Sequence, residues 1–345
     1  MNSKDRVKTA LSFEKPDRVP VSATYVPEIQ RKLRDVVGNE DVDLGVLMGN
    51  DIVYTVHGFV TGAYLKDSGE YYDEWGCKRK VVKHETGNYT EVVEHPLARE
   101  ENLVSYKIPD PYDDSRYNES KKIIEKYGEN YCVVGAVNQT IFECAWGLRG
   151  LHTFIMDIVN NKDFVHELMD KIMEFPLVAG EKLISQGVDI IYLGDDVAMQ
   201  TGMMISPASW REFLKPRYAR LISEFKKVRK DIKIAYHCCG NCESILDELY
   251  DIGIEVIHPI QPKAMNPINI KKRYGKKFAM WGAMDIQEIL PFKSQSEVEE
   301  EVKRLIENCG SDGGFILAPA HNIQSDTPIE NILAFYNAAK KYGSL

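Results

Sequence analysis

Six successive units, each a short apolar strand followed by a longer helical stretch, organise the chain from residue 131 onward. The strands are almost continuously apolar, which is typical of parallel strands buried on both faces. Two further apolar runs earlier in the chain bring the number of predicted strands to eight. The sequence therefore predicts an α/β fold, a (β/α)₈ TIM barrel. The eight strands are predicted near 18–25, 51–56, 131–137, 189–193, 233–236, 255–258, 277–281 and 314–318.

Residues 60–128 interrupt this rhythm. Aromatic and valine residues over 70–95, separated by turn signals, predict a small antiparallel meander, and a lysine-rich stretch at 116–128 predicts an exposed helix. We expect a single domain over 1–345 that carries 60–128 as an N-terminal antiparallel insertion. A doubly wound open sheet is the main alternative, but no Gly-x-Gly-x-x-Gly follows any early strand, which weakens it.

The composition narrows the class of protein. The 345 residues include 43 basic and 52 acidic side chains, for a net charge of −9. This acidity argues against a nucleic-acid backbone or an anionic membrane surface as the main partner. Seven cysteines, an odd number with three crowded together, do not resemble a secreted disulfide framework. No run approaches the roughly 18 apolar residues that span a bilayer, and the charged N-terminal segment lacks an apolar signal core, so we expect a cytoplasmic protein.

Polar and titratable side chains follow each of the last six predicted strands. Because active sites of (β/α)₈ barrels lie at the carboxyl ends of the strands, these residues are the candidates for chemistry. We expect Asp195, Asp196 and Glu143 to be catalytic, as acids, bases or groups that orient the substrate. Four further residues at or near strand ends are expected to contact substrate: Asn138, Gln261, Tyr236 and Met284.

The end of the fifth predicted strand carries the sharpest signal. Since residues two apart on a strand point the same way, His237 and Cys239 face the barrel mouth together while Cys238 points away. An imidazole and a thiolate suit zinc, and His321 at the eighth strand end is the candidate third ligand, which leaves one position open for catalysis. The alternative is that His237 caps a loop and the cysteines fill the core. A redox role for Cys239-x-x-Cys242 is less favoured, because a thioredoxin-like context is absent.

At these residues the chain resembles the uroporphyrinogen decarboxylase-like superfamily, and it looks closest to the zinc-dependent methyltransferase branch that serves corrinoid proteins. The resemblance covers almost the whole chain and implies a barrel fold. Methyltransferases of this branch bind zinc through His-x-Cys, matched by His237 and Cys239, and a later cysteine whose position is His321 here. Decarboxylases carry a histidine at that position, so His321 alone does not separate the branches. The shared landmarks are Arg6 with Ala10-Leu11, Pro16 to Pro20, Asp73 to Gly76, Gly194-Asp195-Asp196, Ser206-Pro207, Lys215 to Tyr218, Gly313 to Asn322 and Thr327 to Asn331.

The resemblance implies zinc, a corrinoid (cobalamin) carried by a partner protein, and a small-molecule methyl donor or acceptor; a homodimer is left open. Zinc would either activate an acceptor thiol that attacks methyl-cobalt(III), or act as a Lewis acid on the oxygen of a methyl donor while cobalt(I) takes the methyl group. Imidazole in place of thiolate leaves the site more positive, which favours demethylation of an oxygen-linked methyl group, such as a methyl ether.

Two other functions remain as alternatives. One is cofactor-free decarboxylation of uroporphyrinogen or a related carboxylic acid, in which Asp195 or Asp196 stabilises a protonated pyrrole. Residues 21–28 lack the arginines that decarboxylases carry after the first strand, and a substrate with eight carboxylates needs guanidinium partners. The other is a corrinoid- or tetrapyrrole-binding module without turnover.

Overall fold

The structure is a computed structural model that describes residues 1–58, 69–84 and 87–344. The strands in these ranges are β1 (Ile52–Val56), β2 (Glu70–Tyr72), β3 (Lys78–His84), β4 (Gly87–Glu94), β5 (Cys132–Asn138), β6 (Ile190–Gly194), β7 (Ala198–Met199), β8 (Gly202–Met203), β9 (Lys233–His237), β10 (Val256–Ile260), β11 (Ala279–Met284) and β12 (Phe315–Pro319). The helices are α1 (Ser3–Leu11), α2 (Pro27–Val37), α3 (Leu44–Met48), α4 (Asn118–Tyr127), α5 (Phe142–Arg149), α6 (Leu151–Asn160), α7 (Lys162–Ile172), α8 (Glu174–Gln186), α9 (Pro207–Phe213), α10 (Lys215–Val228), α11 (Leu246–Asp251), α12 (Pro267–Tyr274), α13 (Ile289–Phe292), α14 (Gln295–Leu305) and α15 (Ile329–Tyr342).

Seven strands of the described residues form one curled parallel sheet, in the order β1-β5-β6-β9-β10-β11-β12. Each strand predicted from residue 51 onward coincides with one of these seven to within a few residues. Alternate residues point into the barrel, and the others face the surrounding helices. The arrangement agrees with the expected TIM-barrel-like fold. The buried inward-facing side chains of the seven strands are Ile52, Cys132, Val134, Ala136, Ile190, Tyr192, Ala235, Val256, Ala279, Trp281, Ile316 and Ala318.

The eighth predicted strand, near 18–25, is an extended segment rather than a regular strand. On one side it pairs in parallel with β12 through a bridge at Val21. On the other side the Asp51 amide donates one backbone hydrogen bond to the Val21 oxygen over 2.8 Å. Two side chains take the place of further backbone bonds: the Val21 amide donates to Oδ2 of Asp51 over 2.8 Å, and the Ala23 amide donates to Oδ1 of Asn50 over 2.9 Å. Because these side chains take bonds that a neighbouring strand would make, the segment fills the gap without becoming an eighth strand.

The N-terminal end of the barrel is closed by α1. Its Val7 and Leu11 pack against the inward-facing side chains of the strands. The Arg6 guanidinium on the same helix donates to Oδ1 of the fully buried Asp51 over 2.6 Å, and Arg18 donates to both oxygens of that carboxylate over 2.7 and 2.8 Å. A buried carboxylate is stable only when it is paired in this way. With α1 closing the N-terminal end, the cavities of the barrel lie at the opposite end, where the strands have their carboxyl ends.

An antiparallel sheet of β2, β3 and β4 lies over this open end. Its register pairs Tyr71 with Arg79, and Val81 with Thr90. In the turn between β2 and β3, the Trp75 ring packs edge-on against Phe175 of α8, with ring centroids 5.1 Å apart. The description of 60–128 as an insertion stays a prediction, and 60–68 and 85–86 lie outside the described residues.

The helices are of modest length. The longest, α10 and α15, have 14 residues each. Among the described helices, none combines the length and the apolar content that crossing a bilayer requires.

Candidate active site

Three side chains that can ligate a metal meet at the open end of the barrel. Asp196 follows β6, His237 ends β9, and Cys239 lies two residues further on. One ligand atom from each lies within 4.8 Å of the others. The Nε2 atom of His237 is 3.5 Å from Oδ1 of Asp196 and 3.6 Å from Sγ of Cys239. The prediction that His237 and Cys239 point the same way is confirmed, and Cys238 is buried on the other side.

His258 contacts Nδ1 of His237, the ring nitrogen that does not face Asp196 and Cys239. The two residues are partners on the neighbouring strands β9 and β10, and their Nδ1 atoms lie 2.8 Å apart. The hydroxyl of Tyr192 is 3.2 Å from the same His258 nitrogen. Burial lowers the pKa of His237 to about 4, and burial lowers the pKa of His258 well below its ordinary value. Both rings are therefore neutral at pH 7, and Nε2 of His237 is the nitrogen that faces the other two ligands.

The sequence pattern alone did not connect His258 with His237. A signal was available, because the predicted strands near 233–236 and 255–258 end next to His237 and at His258. Inward-facing residues at matching positions on such neighbours lie side by side.

Asp196 is held in place by the backbone. The amide of Cys239 donates to Oδ1 of Asp196 over 2.7 Å. His321, the predicted third ligand, is not in the group of atoms within 4.8 Å among the described residues. It is exposed to the space at the mouth and lines both cavities there. Its role as a ligand stays a prediction, whereas Asp196, predicted to be catalytic, occupies the third position of the cluster.

Glu143 and Asn138 lie beside the cluster. Glu143 stands in the first turn of α5, lines the larger cavity and is half-buried. Burial, and then the charges of Asp196 and Asp195, raise the pKa of Glu143 well above its usual value. A raised pKa favours the protonated form of a carboxyl group, and that form can donate a proton. Asn138 ends β5 and lines both cavities.

Asp195 points away from the cluster and is fully buried. Its Oδ2 atom accepts hydrogen bonds from the Phe142 amide over 2.7 Å and from the Tyr218 hydroxyl over 2.6 Å, and its Oδ1 atom accepts from the Glu143 amide over 2.7 Å. Burial raises the pKa of Asp195 to about 6, although these donors lower it. A direct catalytic role for Asp195 stays a prediction; its contacts describe an anchor for the start of α5.

The other predicted substrate contacts separate into two groups. Tyr236 and Met284 are fully buried in the core between the strands and the helices. The predicted substrate contact is corrected for both, because the alternation of side chains along β9 and β11 turns them away from the barrel interior. Gln261 stays near the cluster: its Oε1 atom accepts a hydrogen bond from the Gly240 amide over 3.0 Å.

Two cavities meet at this end of the barrel, and Asn138 and His321 line both. The outer one, about 890 Å³, lies between the strand ends and the antiparallel sheet. Its walls include Trp75 and Glu143, and also Arg79, whose Nε is 2.6 Å from Oδ2 of Asp73. The inner one, about 340 Å³, lies within the barrel and is lined by His237.

Comparisons with known proteins place this chain in a family. The sequence profile described as uroporphyrinogen decarboxylase (URO-D) matches residues 74–342, which is most of the chain. The chain belongs to the uroporphyrinogen decarboxylase family.

Relatives from both branches of this family resemble the chain. A methylcobamide:CoM methyltransferase MtaA of Methanosarcina barkeri is 25% identical over 225 residues, which are 65% of this chain and 62% of that protein. A uroporphyrinogen decarboxylase of Synechocystis is 23% identical over 226 residues, which are 64% of this chain and 62% of that protein. The chain thus spans about 62% of the length of these two curated relatives. A solved methyltransferase structure from Methanosarcina mazei has 23% identity, covers 99% of both chains and gives a TM-score of 0.74, which shows a common fold.

Two of the sequence motifs on which the family resemblance was based meet in the structure. Gly194-Asp195-Asp196 and Lys215 to Tyr218 are distant in sequence, yet the Tyr218 hydroxyl binds the Asp195 carboxylate. The hydrogen bond between Tyr218 and Asp195 fixes the chain just after β6. The next residue, Asp196, lies within 4.8 Å of the ligand atoms of His237 and Cys239. One carboxylate of the landmark is therefore an anchor and the other is a candidate metal ligand.

Proposed function

We propose that the chain is a zinc-dependent methyltransferase that moves a methyl group between a small molecule and the cobalt of a corrinoid carried by a partner protein. The observation that carries the proposal is the grouping of Asp196, His237 and Cys239 within 4.8 Å at the carboxyl end of the strands. Relatives that are methyltransferases support methyl transfer, and the methylcobamide named for the Methanosarcina barkeri relative supports the corrinoid.

The donor atoms of this cluster fit zinc. Zinc accepts histidine nitrogen, cysteine sulfur and carboxylate oxygen, and three protein ligands with one open position are the pattern of catalytic sites. His258 supplies what such sites need outside the ligands, a hydrogen-bonding partner that leaves one imidazole nitrogen of His237 free for the metal. A zinc ion held there would polarise an oxygen of the methyl donor or lower the pKa of an acceptor thiol.

The charge of the ligand set bears on the direction of transfer. With His321 as third ligand, the cluster would supply one negative charge from Cys239. With Asp196 as third ligand it supplies two negative charges, the same total charge as a set of one histidine and two cysteines. A carboxylate is a harder and less electron-donating ligand than a thiolate, so the Lewis acidity that favours an O-methyl donor persists in weaker form. A methyl ether donor is therefore our first choice, and a thiol acceptor is the second.

Glu143 is suited to the proton that O-demethylation requires. When a methyl group leaves an ether as the equivalent of a methyl cation, the remaining oxygen becomes an alkoxide or phenolate that must be protonated. Desolvation and the charges of two neighbouring aspartates raise the pKa of Glu143 and so favour its protonated form, and the side chain lines the cavity next to the cluster. We therefore assign Glu143 the role of general acid.

The walls of the cavities count against decarboxylation of uroporphyrinogen. Among the described residues that line the two cavities, Arg79 is the one arginine or lysine, and it is paired with Asp73. A substrate with eight carboxylates would bring its charges into a space that also contains Glu74, Glu91 and Glu143. Such charges need cationic partners to leave water.

The test uses purified full-length protein and free corrinoids. We expect about one zinc per chain, and methyl transfer from methylcobalamin to 2-mercaptoethanol or from a methoxyarene to cob(I)alamin. His237→Ala and Cys239→Ser should lose both zinc and transfer. Cys309→Ser, which changes a buried cysteine in the turn after α14, should retain both. Wild-type protein without zinc, or transfer that survives in Cys239→Ser, contradicts the proposal; corrinoid binding without exchange supports a non-catalytic module.

A further inference from the structure

The inner cavity has a composition of its own. It measures about 340 Å³, and every strand of the barrel contributes to its wall. Its size lies at the lower end of ligand pockets, which occupy roughly 300–1,000 Å³. The cavity is thus suited to a molecule with a single ring, and a tetrapyrrole is too large for it.

Aromatic side chains form one side of this cavity. Tyr54, Tyr192 and Trp281 point inward from β1, β6 and β11. The rings of Tyr54 and Trp281 are stacked with centroids 5.9 Å apart, and Tyr192 meets Trp281 edge-on at 6.2 Å. Trp281 is fully buried, so it fixes the other two rings, and Tyr54 and Tyr192 form the preorganised surface for another flat ring. Aromatic pairs with centroids about 4.5–7 Å apart add favourable energy beyond the area they bury.

The polar groups of the cavity are hydroxyls and amides, several of them on the side next to 18–25, and the imidazoles of His237, His258 and His321. Ser22 and Thr24 line it, and the Thr24 hydroxyl donates to Oδ1 of Asn322 over 2.5 Å. Ser22 Oγ lies 3.5 Å from the Tyr54 hydroxyl. Among the described residues that line the inner cavity, none is Asp, Glu, Lys or Arg. A ligand with a separate carboxylate or ammonium group would lose its hydration here without gaining a partner of opposite charge.

We propose that this inner cavity binds an uncharged, single-ring aromatic molecule with oxygen substituents, its ring against Tyr54 and Tyr192. This inference rests on the proposed function in one respect: if the chain transfers methyl groups, the bound ring is a neutral methoxyarene that serves as the methyl donor. The position of His237, which lines the same cavity and belongs to the metal cluster, places such a ring directly beside the candidate ligands.

A matched pair of probes tests the charge requirement. 2-Methoxyphenol and 4-hydroxy-3-methoxybenzoate share the ring, the hydroxyl and the methoxy group, and they differ by one carboxylate. We expect 2-methoxyphenol to bind at least about tenfold more tightly, because the carboxylate must be desolvated without a cation. Isothermal titration calorimetry is carried out on zinc-loaded and on metal-free full-length protein, so that capture of the carboxylate by the metal is recognised.

Variants of Tyr54 test the location. Tyr54→Leu removes the ring and should weaken 2-methoxyphenol about tenfold, whereas Tyr54→Phe keeps the ring and should stay within about threefold. Tyr72→Leu, at an exposed position of the antiparallel sheet, is the control and should bind as wild type. Circular dichroism verifies that each variant is folded. Equal or tighter binding of the benzoate, no binding of 2-methoxyphenol up to about 10 mM, or unchanged binding in Tyr54→Leu overturns the inference.

These titrations are independent of catalysis. If the ring binds as expected but the protein carries no zinc and moves no methyl group, the proposed function fails and the binding site stands. If zinc and methyl transfer to a thiol are found but 2-methoxyphenol does not bind, the function stands and the inference about the donor is wrong.

Discussion

The hydroxyl of Tyr218 on α10 donates a 2.6 Å hydrogen bond to Oδ2 of the buried Asp195, at the end of β6. The same carboxylate accepts the amides of Phe142 and Glu143 at the start of α5. The buried Asp195 therefore joins α10, the end of β6 and the first turn of α5, which carries Glu143. The geometry of the candidate site depends on this junction, although Asp195 itself does not face the cavity.

Removal of that hydroxyl should destabilise the protein. We expect Tyr218→Phe to lower the free energy of unfolding by about 1–3 kcal/mol, because a buried acceptor loses a donor. Tyr236→Phe is the matched control: its hydroxyl donates to the backbone oxygen of Asp195 over a longer 3.3 Å, and we expect a smaller loss, about 0.5–1 kcal/mol. Urea denaturation monitored by fluorescence measures both. Equal losses in the two variants would contradict the importance assigned to the 2.6 Å bond.

The partner of His237 should control zinc affinity. His258→Asn keeps an acceptor near the position of the lost Nδ1 atom, whereas His258→Leu leaves the His237 Nδ1 without a partner. We expect His258→Leu to weaken zinc binding about 10–100-fold and His258→Asn to recover most of that loss. Competition with a chromogenic chelator gives the affinities. Cobalt(II) spectra of the same variants should show whether the cysteine ligand is retained, as expected for both.

The identity of the third ligand is open to a direct comparison. If Asp196 completes the cluster, Asp196→Ala should reduce zinc affinity by more than about 100-fold, beyond the range for residues outside the ligand set. His321→Ala should reduce it by less than about tenfold, because His321 is outside the group within 4.8 Å. Metal analysis after dialysis against graded chelator concentrations separates the two. The reverse order would restore His321 to the position that the sequence predicted for it.

The buried His57 should make the fold sensitive to acid. It is 4% exposed, and burial, followed by the charge of Arg116, lowers its pKa to about 4. In the unfolded chain a histidine binds its proton near pH 6.5, so the unfolded state holds more protons between about pH 6.5 and pH 4. The contribution of His57 to stability is therefore present above this range and is lost as the pH falls through it.

Replacement of His57 should remove this part of the pH dependence. Between pH 7.5 and pH 5 we expect the wild type to lose about 2 kcal/mol more stability than His57→Gln, as measured by urea denaturation at each pH. The exposed His152→Gln serves as the control and should follow the wild type. Parallel pH curves for the wild type and His57→Gln would show that the burial of His57 carries no such penalty.

Much of the architecture follows from local sequence. Seven strands lie where continuous apolar runs predict them, because burial on both faces of a parallel sheet leaves a pattern that needs no knowledge of neighbours. The pairing of His237 with Cys239 follows in the same way from the period of two along a strand. That rule, applied consistently, would also have directed Tyr236 away from the cavity, since it shares the outward side with Cys238.

Other features depend on residues that meet only in the folded chain. The segment near 18–25 has the apolar pattern of a strand, yet the side chains of Asn50 and Asp51 take its hydrogen bonds. The adjacent Asp195 and Asp196 are alike in sequence, and only the positions of Tyr218 and Cys239 distinguish an anchor from a candidate ligand. A sequence determines which way a side chain points along its own strand, because that is a local property of the backbone. Its partners depend on packing across the barrel, which tertiary structure alone decides.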